Sequence, residues 1–313
     1  MLAMIAQRMV STVFVMAFVA LFVFGLLYAA PGDPAAIIAG DLATQADIER
    51  VRRQLGLDQP FLTQFLSWLG GVMRGDFGTS IFSGRPVSQL IMQRVEPTLA
   101  LATTTIVFSV LVAVPMGIVA AWRAGSWIDR LVMGFAVLGF SVPVFVFAYL
   151  LILVFAAHFQ LVPVMGYVSI FDDPRGFFAS MILPTLALGV TYIALIARIT
   201  RASMLEAIHQ DYIRTAHAKG LALAPILFRH ALRNASVPIV TTIGIGIALL
   251  IGGVVVTESV FAIPGIGRLT VDAILRRDYP IIQAVILLFS AIYVLINLII
   301  DVIYIVLDPR IRY

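Results

Sequence analysis

The residues best suited to contact a charged partner lie in one polar segment, Asp211 to Pro238, between two long apolar runs. The segment reads DYIRTAHAKGLALAPILFRHALRNASVP and carries a dense set of cations. Its Lys219 is the only lysine among the 313 residues and is followed by Gly220, so the chain contains no GKS or GKT sequence of the kind that cradles nucleotide phosphates. If this protein moves a solute with ATP, another chain must bind the ATP.

A second candidate for chemistry is a serine and histidine pair, the combination that a hydrolase uses for nucleophilic attack. Ser141 lies in the sequence GFSVP, and His158 follows it in the same apolar run. About 17 residues of helix, or roughly 25 Å, would separate the two, so they can pair only if the helix breaks at Pro143. The sequence also has no HExxH motif and no cysteine. We therefore expect a non-catalytic chain without a metal or cofactor of its own.

Composition indicates which kind of protein must position these residues. Hydrophobic residues make up 61% of the chain and charged residues 12%, and the mean hydropathy is +1.03, values typical of a polytopic membrane protein. The sequence pI of about 9.6 would suit a nucleic-acid partner, but the cations are scattered among loops without a basic tract or an aromatic platform. We predict an all-α integral membrane protein that binds no nucleic acid.

Six apolar runs are long enough to cross about 30 Å of hydrocarbon as helices. They are Met9 to Ala30, Pro97 to Ala121, Leu131 to Ala157, Phe178 to Ala197, Val237 to Val256 and Ile281 to Leu307. Placing the N-terminus inside the cell puts most arginines of the short loops on the cytoplasmic side, where positive charge is preferred. We therefore predict a multi-pass protein with both termini in the cytoplasm.

The predicted organisation has four parts. Residues 1–30 form the N-terminal end and the first span, 31–96 an external segment, 97–307 the core with the other five spans, and 308–313 a cytoplasmic tail. The core includes a cytoplasmic loop over residues 198–236. At about 65 residues the external segment is too long for a simple connector, and we expect it to be structured.

Two helices are predicted in the external segment. Asp47 can cap a helix with the sequence ADIERVRRQLG, which Gly56 would end. A second helix, Phe61 to Val72, places four large residues on one face: Phe61, Phe65, Trp68 and Leu69. We expect this aromatic face to pack against the outer end of the helix bundle.

The polar segment should begin with a helix of about two turns, with Asp211 as its N-cap and Gly220 as its C-terminal stop. Helices this short are marginal in water, so contact with the rest of the protein or with a partner must hold it. Tyr212 and Ile213 offer apolar anchors for such a contact, and Ala216 allows close approach. The simpler alternative is a basic loop whose arginines only set the topology.

The sequence of this segment resembles the EAA loop of the permease subunits of bacterial ATP-driven importers. In the peptide-permease branch the loop reads close to DYxRTARAKGL and then RHALRNAxxPV; here it reads DYIRTAHAKGL and RHALRNASVPI, with His217 in place of an arginine. Further landmarks of that branch occur in the right order: PGDP, LGLDQP, GDFGTS, RPV, FAIPGIGRL, RRDYPIIQ and DPRIRY. The chain is thus similar to the first of the two permeases in a dipeptide, oligopeptide or glutathione importer.

The resemblance implies a type I importer permease fold with six transmembrane helices in the bacterial inner membrane, and a structured periplasmic segment between the first two. It also implies partners: a second homologous permease, two ATPase subunits that bind ATP and Mg²⁺, and a periplasmic solute-binding protein. In this family the EAA helix is the coupling helix, which is seated on an ATPase subunit. The matching residues here are Asp211, Tyr212, Arg214, Ala216, Lys219 and Gly220.

The sequence FAIPGIGRL predicts a tight turn on the outer side, because it has two glycines and a proline within four residues. One interpretation is a re-entrant connector between the fifth and sixth spans. The other is a turn that helps to close an outer gate or meets the binding protein. The residues concerned would be Glu258, Pro264, Gly265, Gly267 and Arg268.

Two alternatives stay open at this stage. The first is another solute, such as a nickel chelate or an opine, since selectivity in such systems resides largely in the binding protein. The second is an ATP-independent secondary transporter, which the small number of central charges disfavours. The sequence does not locate the residues that line the transport path.

Overall fold

The computed structural model describes residues 2–29, 34–39, 43–54, 57–163 and 165–307. Within these ranges the regular structure is helical, apart from one isolated β-bridge between Thr79 and Pro86. The α-helices are, in order, α1 Leu2–Ala29, α2 Pro34–Ala39, α3 Gln45–Gln54, α4 Phe61–Met73, α5 Val87–Trp122, α6 Trp127–Ser141, α7 Val144–Leu151, α8 Pro174–Ile208, α9 Asp211–Ala218, α10 Leu223–Pro225, α11 Leu232–Val260, α12 Ile266–Arg276 and α13 Tyr279–Leu307. Two π-helical segments, Ile152–His158 and Ile226–Ala231, continue α7 and precede α11. The predicted all-α architecture is confirmed.

Among the described residues, four helices are long and apolar enough to cross a membrane, or five if the bent pair α6 and α7 is one span. The four are α5, α8, α13 and the continuous helix Leu223–Val260, which includes α10, the second π-helical segment and α11. Helix α1 contributes a shorter apolar stretch, Val10–Gly25. The predicted count of six spans therefore stays a prediction.

The third predicted span, Leu131 to Ala157, is broken rather than continuous. Helix α6 ends at Ser141, the next helix begins at Val144, and the two are bent by 103°. Pro143 explains the break, because it has no N–H to donate and disfavours a helical conformation at the residue before it. Val142 is accordingly extended, with φ −88° and ψ 124°.

The break does not bring Ser141 and His158 together. The Ser141 hydroxyl donates to the Val137 carbonyl oxygen at 2.8 Å within α6. His158 stands at the far end of Val144–His158, whose eight α-helical and seven π-helical residues extend about 20 Å. Its ring packs edge-on against Phe159. Ser141 and His158 are therefore not placed to act as a nucleophile and its general base.

The chain divides into two compact units, one of residues 1–95 and 269–294, the other of residues 96–268 and 295–313. Helices α1 to α4 belong to the first unit and α6 to α11 to the second, while α5, α12 and α13 contribute to both. The polar segment and the FAIPGIGR turn both lie in the second unit.

In the first unit, α4 packs its aromatic face against α1. The ring of Phe24 lies 5.4 Å from that of Phe61, 5.6 Å from that of Phe65 and 5.2 Å from that of Trp68, between centroids. The aromatic face of α4 thus packs on α1, and whether this contact lies at the outer end of the helix bundle stays a prediction.

The first turn of α3 is closed by a reciprocal pair rather than by Asp47 alone. Thr44 is the residue before the helix; its hydroxyl donates to the Asp47 carboxylate at 2.6 Å, and the Asp47 N–H donates to Thr44 Oγ1 at 3.3 Å. Asp47 as N-cap is therefore wrong, because the capping-box spacing puts the carboxylate at the third helical position. Gly56, the predicted end, lies outside the described residues.

The capping pair has a definite pH dependence. The hydrogen bonds from Thr44 lower the pKa of Asp47 below its ordinary value. A lowered pKa means that the folded protein favours the carboxylate, so this contribution to stability is present above the unfolded pKa and is lost as the pH falls through the folded pKa. Acid should therefore loosen the start of α3.

A second tie in the first unit joins two of the sequence landmarks. Asp278, from RRDYP, is buried and accepts hydrogen bonds from the Ser80 hydroxyl at 2.6 Å and from the Ile81 N–H at 3.3 Å. Gly78, from the same GDFGTS sequence as Ser80, has a φ of +79° and lies beside Pro280. The two motifs, 198 residues apart, therefore form one structural contact.

Helix α8 forms the centre of the second unit. It is the most buried of the four spanning helices, with 67% of its most apolar stretch inside the protein. Small residues on its neighbours allow close approach: a side chain at Gly117 of α5 would overlap Thr200, and one at Gly253 of α11 would overlap Leu188. Such contacts are typical of helices packed in membranes. A displacement of α8 would therefore also displace α5 and α11.

Candidate functional site

Helix α9 begins one residue earlier than predicted. Gln210 occupies the N-cap position with an extended backbone, and its side chain makes no capping hydrogen bond. Asp211 is the first helical residue, where its negative charge lies near the positive end of the helix dipole and 3.5 Å from the Arg214 guanidinium. Asp211 thus marks the start of the helix, but its predicted capping role is wrong.

Gly220 ends α9 by a specific backbone turn, as predicted. Its φ of +73° is left-handed, a conformation that residues with a side chain rarely adopt. The Gly220 N–H donates to the His217 carbonyl at 2.9 Å, and the Leu221 N–H donates to the Ala216 carbonyl at 3.3 Å. These two bonds make a Schellman motif, which satisfies carbonyl groups that the end of the helix would otherwise leave without donors.

One face of α9 is buried within the second unit. Ile213 is 2% exposed and Ala216 is 6% exposed. Both belong to a hydrophobic cluster that also contains Ile118, Met204 and Ile226. The cluster joins α9 to α5, to α8 and to the helix that leads into α11. Ile213 and Ala216 therefore hold α9 to its own chain, which is one of the two kinds of contact that the sequence left open. They are not available to a partner.

The opposite face of α9 is exposed and, with the turn that follows, forms a mixed apolar and cationic surface. Tyr212 of α9 is 37% exposed. What we call the α9 surface consists of Tyr212 and four further exposed residues: Arg214, Lys219, Leu221 and Leu223. Exposed apolar area beside aromatic and arginine side chains is typical of a protein interface.

In α11, three residues before the FAIPGIGR turn, the carboxylate of Glu258 is completely buried, at 0% exposure. It accepts hydrogen bonds from the Thr98 hydroxyl at 2.6 Å and from the Arg268 N–H at 3.0 Å. Thr98 Oγ1 in turn accepts the Ile266 N–H at 2.8 Å. Ile266 and Arg268 lie in the first turn of α12, where N–H groups have no acceptor within the helix. Glu258 of α11 and Thr98 of α5 therefore cap α12 from two other helices.

The two glycines of the turn are required by this contact. A β-carbon at Gly265 would overlap the Glu258 carboxylate, and one at Gly267 would lie 2.9 Å from that carboxylate and 2.6 Å from the Val255 α-carbon. Neither glycine has a left-handed backbone. The two glycines are therefore needed because Glu258 and Val255 approach them closely, and not because the turn requires a left-handed backbone. The sequence did not reveal this requirement.

The residues predicted for an outer gate differ in their access to a partner. Pro264 is exposed and Arg268 is half-buried, whereas Glu258, Gly265 and Gly267 are buried. A partner can therefore meet this turn through Pro264 and Arg268. The other three residues hold the turn in place.

A neighbouring carboxylate, Glu96, holds the loop between α7 and α8. It accepts hydrogen bonds from the Tyr167 hydroxyl at 2.8 Å and from the Ser169 hydroxyl at 2.6 Å. The same loop is tied to the FAIPGIGR turn, since the Gly166 N–H donates to the Phe261 carbonyl at 3.1 Å. Burial and the hydrogen bond to Glu96 raise the pKa of Tyr167, so the phenol remains a donor at physiological pH. These contacts join residues far apart in sequence and leave no local pattern.

Replacing Thr98 with valine should lower the free energy of unfolding by about 1 to 3 kcal/mol, because it removes a donor to Glu258 and an acceptor for the Ile266 N–H while keeping the shape of the side chain. Thermal unfolding of the purified protein in detergent measures the loss. Thr103→Val, at an exposed position of the same helix, is the matched control and should change little. A wild-type unfolding midpoint for Thr98→Val would contradict the network.

Two family models match the chain. The model described as "binding-protein-dependent transport system inner membrane component" matches residues 113–313. The model for the N-terminal part of such membrane components matches residues 1–102. The two matches follow one another along the chain with a short gap.

Curated relatives align from end to end. A probable peptide ABC transporter permease protein of Sinorhizobium fredii is 55% identical over 309 residues, which are 99% of each chain. A putative peptide transport system permease protein of Brucella abortus and the glutathione transport system permease protein of Escherichia coli are each 44% identical over 313 residues, which are 100% of each chain.

Solved structures of an inward-facing methionine ABC transporter share the fold. One covers 70% of this chain and 97% of its own with a TM-score of 0.58 at 20% sequence identity. A second crystal form of that transporter gives a TM-score of 0.56 at 19% identity. This agrees with the importer-permease fold predicted from the sequence.

Proposed function

The chain belongs to the family of binding-protein-dependent transport system inner membrane components, and we propose that it is the first of two permease subunits of an ATP-driven importer for peptides or glutathione. It is a multi-pass protein of the inner membrane. Full-length relatives are named as permeases for peptides or for glutathione, and they support this substrate class. A periplasmic binding protein would deliver the solute.

The arrangement of α9 carries the proposal. Its inner face is fixed to the spanning helices, and its outer face is exposed. A partner that pushes on the α9 surface would therefore displace α8 and α11 as well. We assign the contact with an ATPase subunit to Asp211, Tyr212, Arg214 and Lys219, and the shape of the helix to Ala216 and Gly220.

The remaining partners follow from this role. Two ATPase subunits would bind ATP and Mg²⁺, because this chain has no phosphate-binding sequence of the GKS or GKT type. A second homologous permease would complete the transport path. The α9 surface and both termini would lie in the cytoplasm, which agrees with the distribution of arginines in the short loops.

Co-purification tests the proposed function. The tagged chain is isolated from bacterial membranes, and the associated chains are identified by mass spectrometry. We expect a second permease and ATPase subunits, with ATP hydrolysis that rises when peptide and the binding protein are added. A homomer without ATPase activity would overturn the proposal and favour a secondary transporter.

Replacing Tyr212 with alanine should weaken binding of the ATPase subunit about tenfold, because tyrosines that become buried in an interface often carry a large share of its binding energy. Titration of the purified permease with the isolated ATPase subunit measures the affinity. Phe171→Ala removes an even more exposed ring, from the loop between α7 and α8, and should leave the affinity unchanged. Equal affinities for the wild type and Tyr212→Ala would place the contact elsewhere.

The FAIPGIGR turn is proposed as part of the outer gate, with Pro264 as the position open to the binding protein. Pro264→Cys gives the chain a single cysteine on the exposed part of the turn. A crosslinker on this cysteine should capture the docked binding protein in at least one nucleotide state. Failure in every nucleotide state would leave the turn as a connector.

A further inference from the structure

Helices α6 and α8 are joined near the start of α6 by an ion pair between a buried aspartate and a half-buried arginine. Asp129 is buried, and its carboxylate accepts hydrogen bonds from the Arg201 guanidinium at 2.5 and 2.7 Å. The same carboxylate accepts the Gly125 N–H at 2.9 Å. Two parallel bonds from one guanidinium fix both the distance and the orientation of the groups that they join.

The other end of α6 is held against α8 by close packing. The Thr191 hydroxyl donates to the Gly139 carbonyl at 3.4 Å, and a β-carbon at Gly139 would lie 3.2 Å from that of Ala194. Positions 129 and 139 are ten residues apart, and so are positions 191 and 201, so the ion pair and this contact share one antiparallel register. Ten residues of helix place them about 15 Å apart.

Helices α6 and α8 connect the α9 surface with the break between α6 and α7. Helix α8 ends at Ile208, and α9 begins at Asp211. Beyond its contact with α8 at Gly139, α6 continues only to Ser141, where the chain bends by 103°. Non-helical backbone within a membrane is tolerated where it is buried in protein or lines a water-filled cavity, and Pro143 at the bend is exposed.

We propose that α6 and α8 move as one rigid body, which carries a displacement of α9 to the break at Val142 and Pro143, with Asp129 and Arg201 as positioning residues. The proposal rests on the coupling role proposed for α9 and adds a route through the second unit. Separating the two helices would leave a buried charge without its partner, which is strongly unfavourable. The ion pair therefore opposes any relative motion of α6 and α8 during transport.

A reversible crosslink tests whether the two helices stay together. The chain has no cysteine, so Gly139→Cys with Ala194→Cys introduces the only pair in it, at positions whose β-carbon spacing of 3.2 Å is slightly below that of a disulfide. The importer with this variant is reconstituted in liposomes, and ATP-driven uptake of a labelled tripeptide and of labelled glutathione is measured after oxidation and after reduction. Ala194→Cys alone controls for oxidation of the partners.

The expected result is uptake that agrees within about twofold between the oxidised and reduced states of one sample, since a bond between parts of one rigid body changes no step of the cycle. The packing cost of the cysteines is common to both states and cancels. An oxidised sample that has lost uptake about tenfold, while the single-cysteine control has not, would show that the helices must separate and would overturn the proposal.

The charge pair is tested by Asp129→Asn. We expect uptake to fall about tenfold while ATP hydrolysis stays within about twofold, so that more ATP is consumed per peptide. A merely structural role would reduce the amount of folded importer and leave that ratio unchanged, which would overturn the proposal. Asp129→Arg with Arg201→Asp should recover part of the ratio. Arg123→Gln removes an exposed charge from the loop before α6 and serves as the control.

The wild-type importer separates this inference from the proposed function. If the wild type recruits no ATPase and takes up neither solute with ATP, the proposed function fails and the inference falls with it. If the wild type transports and the crosslinked or Asp129→Asn importer gives the contradicting result, the inference alone fails.

Discussion

Replacing Glu258 with alanine is expected to lower the free energy of unfolding by on the order of 3 kcal/mol or more, because each buried donor left without an acceptor costs about 1 to 3 kcal/mol. The Thr98 hydroxyl and the Arg268 N–H both donate to this carboxylate and would lose their acceptor. Alanine also leaves a cavity where the carboxylate touches Gly265, which adds to the loss. Thermal unfolding of the purified protein in detergent measures the change.

Two further variants make this prediction specific. Glu258→Gln keeps one carbonyl oxygen as an acceptor and should lose less stability than alanine does. Asp272→Ala removes an exposed carboxylate from α12 and should leave the unfolding midpoint close to that of the wild type. If Glu258→Ala and Asp272→Ala unfolded at the same temperature, the cap on α12 would not contribute to stability.

Glu258 also shows where prediction from sequence ends. The glycines and the proline of the FAIPGIGR turn predicted a tight turn, and the structure has one. No local pattern indicated that Thr98, 160 residues away, would donate to Glu258. A contact between residues so far apart depends on the packing of whole helices, whereas turn chemistry depends only on neighbours.

Helix α9 was likewise predicted only in part. Its bounds depend on local signals, and the stop at Gly220 was right while the start at Asp211 was displaced by one residue. Which face is buried depends on where α5 and α8 lie, so the sequence left open whether Ile213 contacts its own chain or a partner. The resemblance to a family of permeases led to the proposal of a coupling role for the helix, but the burial of each side chain had to come from the structure.

The break in the third predicted span was missed because apolar composition does not show whether a helix is straight or bent. Hydropathy measures only whether a run of residues is long and apolar enough, and Leu131 to Ala157 satisfies that test. Pro143 was the available signal, since proline disfavours helix at the residue before it. A proline alone does not decide the matter: Pro97 and Pro115 lie inside the continuous helix α5.

Replacing Gly220 with valine is expected to lower ATP-driven uptake about tenfold or more while leaving membrane insertion close to the wild type. The left-handed φ of +73° costs a β-branched residue roughly 1 to 2 kcal/mol, so the Schellman motif at the end of α9 should be lost. A β-carbon at Gly220 would meet no atom within 4 Å, so the fold has no steric reason to fail. Uptake and ATP hydrolysis by the reconstituted importer measure the outcome.

Asparagine and aspartate at the same position separate backbone shape from charge. Both tolerate the left-handed region better than valine does, so Gly220→Asn should keep the turn and most of the uptake. Gly220→Asp keeps the turn as well but adds a negative charge next to Lys219 on the α9 surface. If the ATPase subunit recognises the cations, Gly220→Asp should uncouple ATP hydrolysis from uptake although Gly220→Asn does not. Wild-type uptake by both Gly220→Val and Gly220→Asp would remove α9 from the coupling route.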